Sequence, residues 1–213
     1  MELVKKNRAV IVAAGEIKNT DIIKKNVFYD DFLIAADAGY IRCMEAGNKP
    51  DLLIGDFDSF DKPDTDTETI ALNPIKDCTD TEFCVNEAFK RGFSEILIIG
   101  GLGGRNDHSF ANLSLLACFK QRGVNVTLID DNHRIYALKN ETHTVVNENR
   151  YVSVFAYAGS CTVTLDGFFY PLKNYVLSPY QGGFGTSNEL VGETGKITVS
   201  EGLALVMEVS KTI

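Results

Sequence analysis

Glu95-Ile-Leu-Ile-Ile99, Gly100-Gly-Leu-Gly-Gly104, Arg105-Asn-Asp107, a periodic stretch to Arg122, Gly123 and Val124-Asn-Val-Thr-Leu-Ile129 follow one another without a break. A continuous apolar run of this length suits a strand buried on both faces. Asp107 to Arg122 reads as a helix, and Gly123 supplies the residue type that ends one. Strand, helix, strand in this order makes a parallel sheet with a helix on its face.

The same grammar runs upstream. Ala9-Val-Ile-Val-Ala-Ala14, Phe32-Leu-Ile-Ala-Ala36 and Asp51-Leu-Leu-Ile54 read as buried strands. Ala38 to Glu45 reads as a helix closed by Gly47, and a helix capped by Thr79 or Asp80 runs to Arg91 and stops at Gly92. Beyond about residue 140 the texture changes to short strands (Tyr151 to Tyr157, Cys161 to Leu165, Lys196 to Val199, Leu203 to Val209) separated by Gly-rich turns. The expected architecture is an α/β N-terminal domain with a mainly parallel, Rossmann-like sheet over residues 1–142. An all-β sandwich C-terminal domain is expected over residues 143–213.

Composition narrows the function. The 213 residues are 45% hydrophobic and 23% charged, ordinary for a globular protein. No apolar run approaches the ~20 residues of a membrane helix, and the basic start, Met1 to Arg8, carries no second targeting feature. A cytoplasmic protein without a membrane partner is expected. Five dispersed cysteines without a Cys-x-x-Cys pair read as reduced thiols, with Cys43 and Cys118 on buried helical faces. With 21 Lys+Arg against 29 Asp+Glu the chain nets −8, and no basic cluster exceeds a pair, which argues against nucleic acid. Residues 51–82 hold ten acidic residues, eight of them Asp, against two basic ones.

That acid is placed where α/β sheets bind ligands, at strand ends. Pro50-Asp-Leu-Leu-Ile-Gly-Asp56-Phe-Asp58-Ser59 delivers two carboxylates from one apolar strand. In extended chain both point the same way, and at ~6.5 Å they repel by about 2.5 kcal/mol in an intermediate dielectric. A hard divalent ion relieves that repulsion, and so does a fully wet acidic turn. Asp37 repeats the pattern after the second strand, and Lys76-Asp77-Cys-Thr79-Asp80 adds acid before a helix, where Asp80 also suits a cap. The glycines 100, 101, 103 and 104 allow close backbone approach to a phosphate, with Arg105 as a clamp. The dinucleotide fingerprint breaks at Asn106 and no P-loop motif occurs, which argues against a nicotinamide enzyme and a P-loop kinase.

Ala36-Asp37-Ala38-Gly39, the Pro50–Ser59 run, Lys76-Asp77-x-Thr79-Asp80, Gly-Gly-Arg105-x-Asp107-His108-x-x-Ala-Asn112 and Thr186-Ser187-Asn188-Glu189 together resemble the thiamine pyrophosphokinase family, in order and over nearly the whole chain. The resemblance implies an enzyme that moves pyrophosphate from Mg-ATP to the hydroxyl of thiamine and releases AMP. It implies a homodimer with active sites between the α/β domain of one subunit and the β domain of the other. Asp56, Asp58 and Asp80 would hold Mg²⁺ and the triphosphate, with Asp37 and Asp107 nearby. Arg105, Asn112 and Lys76 would contact nucleotide and phosphates, with Thr79 among the cofactor-binding residues. Ser187 and Asn188 would contact the thiamine pyrimidine. The chain departs from the family in having Ala38 where many members have Gly, and in lacking Trp. Phe168, Phe169, Tyr180 or Phe184 would then face the thiamine ring. An Asp-x-Asp glycosyltransferase and a non-catalytic nucleotide-binding module share parts of this pattern; neither makes AMP from ATP and thiamine.

Overall fold

The computed structural model describes residues 6–57, 63–73, 75 and 77–212. Its chain forms two compact units. One runs to Leu115 and resumes from Gly123 to Asp131, and the other takes Leu116–Arg122 and the chain from Asn132. The division at 142 expected from sequence falls inside a strand of the second unit, β8 (Glu141–Val146).

In the first unit the strands are β1 (Arg8–Val12), β2 (Asp31–Ala36), β3 (Leu52–Gly55), β4 (Glu68–Ala71), β5 (Glu95–Ile99) and β6 (Asn125–Ile129). They are parallel throughout, in the order β4-β3-β2-β1-β5-β6. The order reverses at β1, so the chain that leaves β1 and β5 diverges to opposite sides of the sheet, where a crevice opens. Helices α1 (Asp21–Asn26), α2 (Gly39–Glu45), α3 (Asp80–Lys90) and α4 (Asn106–Gln121) complete the crossovers. Val10, Val12, Leu33, Ala35, Leu53, Leu97 and Ile99 form one buried core with Ile23 and Cys43. Burial on both faces is why these strands read as unbroken apolar runs. At the opposite end of the strands, Arg8 grips buried Asp31 with Nε and Nη2 at 2.9 and 2.7 Å.

The second unit holds β7 (His133–Leu138), β9 (Arg150–Ala156) and β13 (Ala204–Ser210) in one antiparallel set. A second set contains β8, β10 (Cys161–Asp166), β11 (Leu172–Leu177) and β12 (Thr194–Glu201). Val152, Val154 and Val206 from the first set share a core with Val163, Ile197 and Val199 from the second. Strands that bury one face alternate apolar with polar, as β12 and β10 do.

Cys43, Cys84 and Cys161 are buried, while Cys118 faces solvent. The helical pattern around Cys118 puts Ala117 and Phe119 inward and leaves the thiol on the outer side. Among the described residues no helix is long and apolar enough to cross a membrane.

Candidate active site

A cleft of about 800 Å³ opens at the C-terminal ends of β1, β2, β3 and β5. Its walls are the segment 13–16, Asp37, Asp56, residues 77–82 and the glycine loop 100–105, with His108 and Asn112 behind. Parallel register explains the assembly: neighbouring strands stop at one level, so residues far apart in sequence arrive side by side.

Asp37 follows β2 in the left-handed region, φ +50°, and its backbone N–H donates to Ile54 O at 2.7 Å. A non-glycine residue there is uncommon and marks a position held by its surroundings. Gly55 makes it fit, since a Cβ at 55 would stand 3.1 Å from Asp37 Oδ1. Asp37 is 9% exposed, at the edge of the cleft. Asp56 follows β3 directly and lines the same cleft. Asp58 and Lys76 lie outside the described residues.

Thr79 serves as the N-cap of α3, its Oγ1 accepting the N–H of Glu82 at 3.1 Å. The helix start thereby holds Asp80 at the cleft with the positive end of the helix behind it. Asp77, from the acidic motif before α3, also lines the walls, as do Glu82 and Glu16, which belong to none of the motifs.

The glycine loop is held by its neighbours. Gly100, Gly103 and Gly104 have φ of +75°, +86° and +63°, conformations that favour glycine. Asn112, on α4 and buried, donates Nδ2–H to Gly101 O at 2.7 Å. Its amide nitrogen therefore supports the loop.

Arg105 and Asp107 meet in a two-pronged ion pair, Nη2–Oδ2 at 2.6 Å and Nε–Oδ1 at 3.2 Å, and both are exposed. The Arg105 guanidinium pulls the Asp107 carboxyl down to about 2, and Asp107 raises Arg105 in turn. Asp107 Oδ1 also accepts His108 N–H at 3.0 Å at the start of α4.

Six carboxylates (Glu16, Asp37, Asp56, Asp77, Asp80, Glu82) face this cleft, against Arg105 and His108 on the basic side. A polyphosphate entering such a space requires added positive charge. The donors are all oxygen, the set that suits a hard divalent cation, and the bare glycine backbone leaves room for phosphates. Among the described residues no three His, Cys, Asp or Glu side chains cluster closely enough to hold a metal ion by themselves.

Ser187 and Asn188 belong to the second unit. Ser187 is exposed, at φ +54°, with its N–H donating to Ser153 Oγ at 3.0 Å. Asn188 is 5% exposed. Its Oδ1 accepts Tyr170 N–H at 3.0 Å and Glu189 N–H at 2.9 Å, and its Nδ2–H donates to Tyr170 O at 2.8 Å. These bonds pin the Phe169–Tyr170 turn, whose rings meet edge to face at 5.0 Å and stand 67% and 64% exposed. Of the expected aromatic candidates, Phe168 is buried in the core, so its ring is committed to packing. Phe169, Tyr180 and Phe184 are exposed, and Phe184 stacks on Tyr175 at 5.0 Å.

Two family descriptions match the chain: "Thiamin pyrophosphokinase, catalytic domain" over residues 24–128 and "Thiamin pyrophosphokinase, vitamin B1 binding domain" over residues 132–204. The break between them falls where the two compact units part. The thiamine pyrophosphokinase of Bacillus subtilis (strain 168) is 27% identical over 212 residues, covering 94% of this chain and 98% of its own. The crystal structure of thiamine pyrophosphokinase from Bacillus subtilis is similar with a TM-score of 0.88 at 24% identity, over 96% of this chain and 100% of that one. That of thiamin pyrophosphokinase from Geobacillus thermodenitrificans gives 0.82 at 27% identity, over 96% and 98%.

Proposed function

The chain belongs to the thiamine pyrophosphokinase family, and from that premise we propose that it transfers a pyrophosphoryl group from ATP to the hydroxyl of thiamine. The hydroxyl oxygen bonds to the β-phosphorus, the bond from that phosphorus to the α-bridging oxygen breaks, AMP leaves and the hydroxyl proton is released. The observation that carries this reading is the glycine-walled, carboxylate-rich cleft at the ends of β1, β2, β3 and β5. The reversal of strand order at β1 supports a Rossmann-like reading of the unit that holds it.

Asp56, Asp58 and Asp80 would hold Mg²⁺, with Asp37 beside them. When bound, the ion neutralises charge on the transferring phosphates. The loop 100–104 orients the phosphates with backbone that no Cβ obstructs, and Asn112 keeps the loop in place. Arg105 supplies a guanidinium for the developing charge, exchanging its Asp107 partner for phosphate oxygens. Asp107, whose carboxylate Arg105 holds well below the ordinary range before phosphate arrives, acts by aiming that guanidinium. Lys76 is assigned to the phosphates and Thr79 to the α3 start that presents Asp80.

The thiamine side is assigned to the second unit. Ser187 offers the polar contact to the pyrimidine, and Asn188 holds the Phe169–Tyr170 turn that faces an aromatic ring. The cationic substrate suits a chain of net charge −8. A homodimer, with the second unit of one copy completing the cleft of the other, follows the family resemblance. Five dispersed cysteines without a Cys-x-x-Cys pair support a reducing, cytoplasmic setting.

Incubating the protein with Mg-ATP and thiamine should yield AMP and thiamine diphosphate in equal amounts. ATP binding without AMP, or turnover only with a sugar nucleotide, would refute the assignment. Sedimentation of the purified chain should show a dimer.

A further inference from the structure

Arg42 lies in none of the motifs around the cleft, yet three contacts connect it to the cleft floor. The first is the seating of its own helix. Gly39, one turn before Arg42, packs on the end of β1 so closely that a Cβ there would overlap Val12 O. That approach lets the half-buried Arg42 side chain reach back over the strand end. Second, Arg42 Nη1 donates to Ala13 O at 3.2 Å and also to Gly15 O. One nitrogen thus gathers two carbonyls of the segment that lines the cleft. Third, Gly15 is pressed into the glycine loop. A Cβ at 15 would overlap Gly100 O and stand 2.9 Å from Leu102 O, while Glu16 N–H donates to Leu102 O at 3.3 Å. From the other side, a Cβ on Gly100 would stand 3.4 and 3.5 Å from Gly15 O and Ala13 O.

Several backbone oxygens therefore crowd beneath a cleft that already carries six carboxylates. Converging carbonyl oxygens repel each other and repel an incoming phosphate, unless a cation gathers them. Arg42 is the cation at that point, with Glu16 and Glu45 in its field.

We infer that Arg42 is a positioning residue for nucleotide binding: by clamping the Ala13 and Gly15 carbonyls it holds the 13–16 segment as the seat of the 100–104 loop. It acts through backbone, without touching the nucleotide. The inference rests on the proposed assignment of phosphates to this cleft.

The test compares wild type with Arg42→Met and Arg42→Lys. Mg-ATP binding is titrated calorimetrically without thiamine, and KM for each substrate, kcat and the apo melting temperature are measured alongside. Arg42→Met should weaken Mg-ATP by about tenfold in Kd and in KM, the loss expected for charge-assisted hydrogen bonds. KM for thiamine should stay near wild type, and the melting temperature should fall by only a few degrees, because the Ala13 and Gly15 carbonyls lose their donor. Arg42→Lys keeps the charge and a donor and should recover part of the loss. Unchanged Mg-ATP affinity in Arg42→Met overturns the inference. So does a parallel rise in both KM values, which would mark a general structural role. If Arg42→Met does not fold, Arg42→Lys decides by the same criterion, a selective loss of Mg-ATP affinity. Wild type that binds Mg-ATP without producing AMP refutes the proposed reaction and leaves Arg42 to the binding result. Wild type that does not bind Mg-ATP overturns both.

Discussion

In the first unit the cleft is assembled from the segments 13–16, 36–37, 56, 77–82 and 100–112, brought together because parallel strands stop at one level. In the second, Ser187 and Asn188 are neighbours on one loop, which hydrogen bonds to Ser153 Oγ and to Tyr170 hold in shape. The first site is thus a product of backbone topology, with glycines where chains must touch. The second is a product of a local side-chain network. Changes that add a Cβ should harm the first most, and changes that remove a polar side chain should harm the fold of the second most.

The largest expected effect separates chemistry from folding. Asp56→Asn lies just beyond a strand end, so far-ultraviolet circular dichroism and melting temperature should be retained while kcat falls by about a hundredfold or more, the scale of losing one preorganised electrostatic group. Near-normal turnover at limiting Mg²⁺ would remove Asp56 from the site.

Next comes a pair of glycines, one from each unit. Gly15→Ala forces a methyl into Gly100 O and should weaken Mg-ATP binding by about tenfold or more, since overpacking of this kind displaces backbone by an energy of about 1–3 kcal/mol. Gly183→Ala meets only Thr186 Oγ1 at 4.0 Å and should leave Mg-ATP affinity unchanged. Equal effects of the two on titrated affinity would erase the contrast between the units.

Within the second unit, Asn188→Ala leaves the Tyr170 backbone N–H and C=O without their partner. It should destabilise by about 2–3 kcal/mol and lower the melting temperature by roughly 5 °C or more. Ser187→Ala should raise KM for thiamine at nearly constant melting temperature, because its exposed hydroxyl holds no part of the loop that Asn188 does not. If Asn188→Ala melts like wild type and changes only KM, then Asn188 acts as a ligand group and not as a brace.

The smallest effect concerns a carboxylate of the opposite kind. Glu208 on β13 is 5% exposed, and burial pushes its carboxyl up, against the pull of Tyr136 first and then of Arg134 and Arg150. A raised folded value favours the protonated form. The associated stability is complete below the ordinary Glu range and is lost as pH rises through the raised value. Glu208→Gln should therefore melt slightly higher than wild type at pH 7 and equally at pH 4. A lower melting temperature at pH 7 would show that the ionised carboxylate is the stabilising form.

Local patterns made much of the fold legible. Glu95–Ile99 is a strand with the expected bounds, and α4 and β6 fall within a residue of expectation, because apolar runs and terminal glycines act over a few residues. The short or polar elements α1, β4, β8 and β11 lacked such marks. β4 (Glu-Thr-Ile-Ala) and β11 (Leu-Lys-Asn-Tyr-Val-Leu) are strands by pairing more than by composition. Thr79 could be read as a cap because its partner Glu82 is three residues on.

By itself, the sequence determined the two-part architecture, the acids at strand ends, the glycine loop and the family. All of these depend on residue type and short spacing. Only the tertiary structure decided what several polar side chains do. Asn112 holds Gly101 across eleven residues, Asn188 holds Tyr170 across eighteen, and Arg42 reaches Gly15 across twenty-seven. A polar group can bond a ligand or a buried backbone atom with equal chemistry. Which one it meets depends on where folding brings distant backbone, because a buried N–H or C=O takes whatever partner stands beside it.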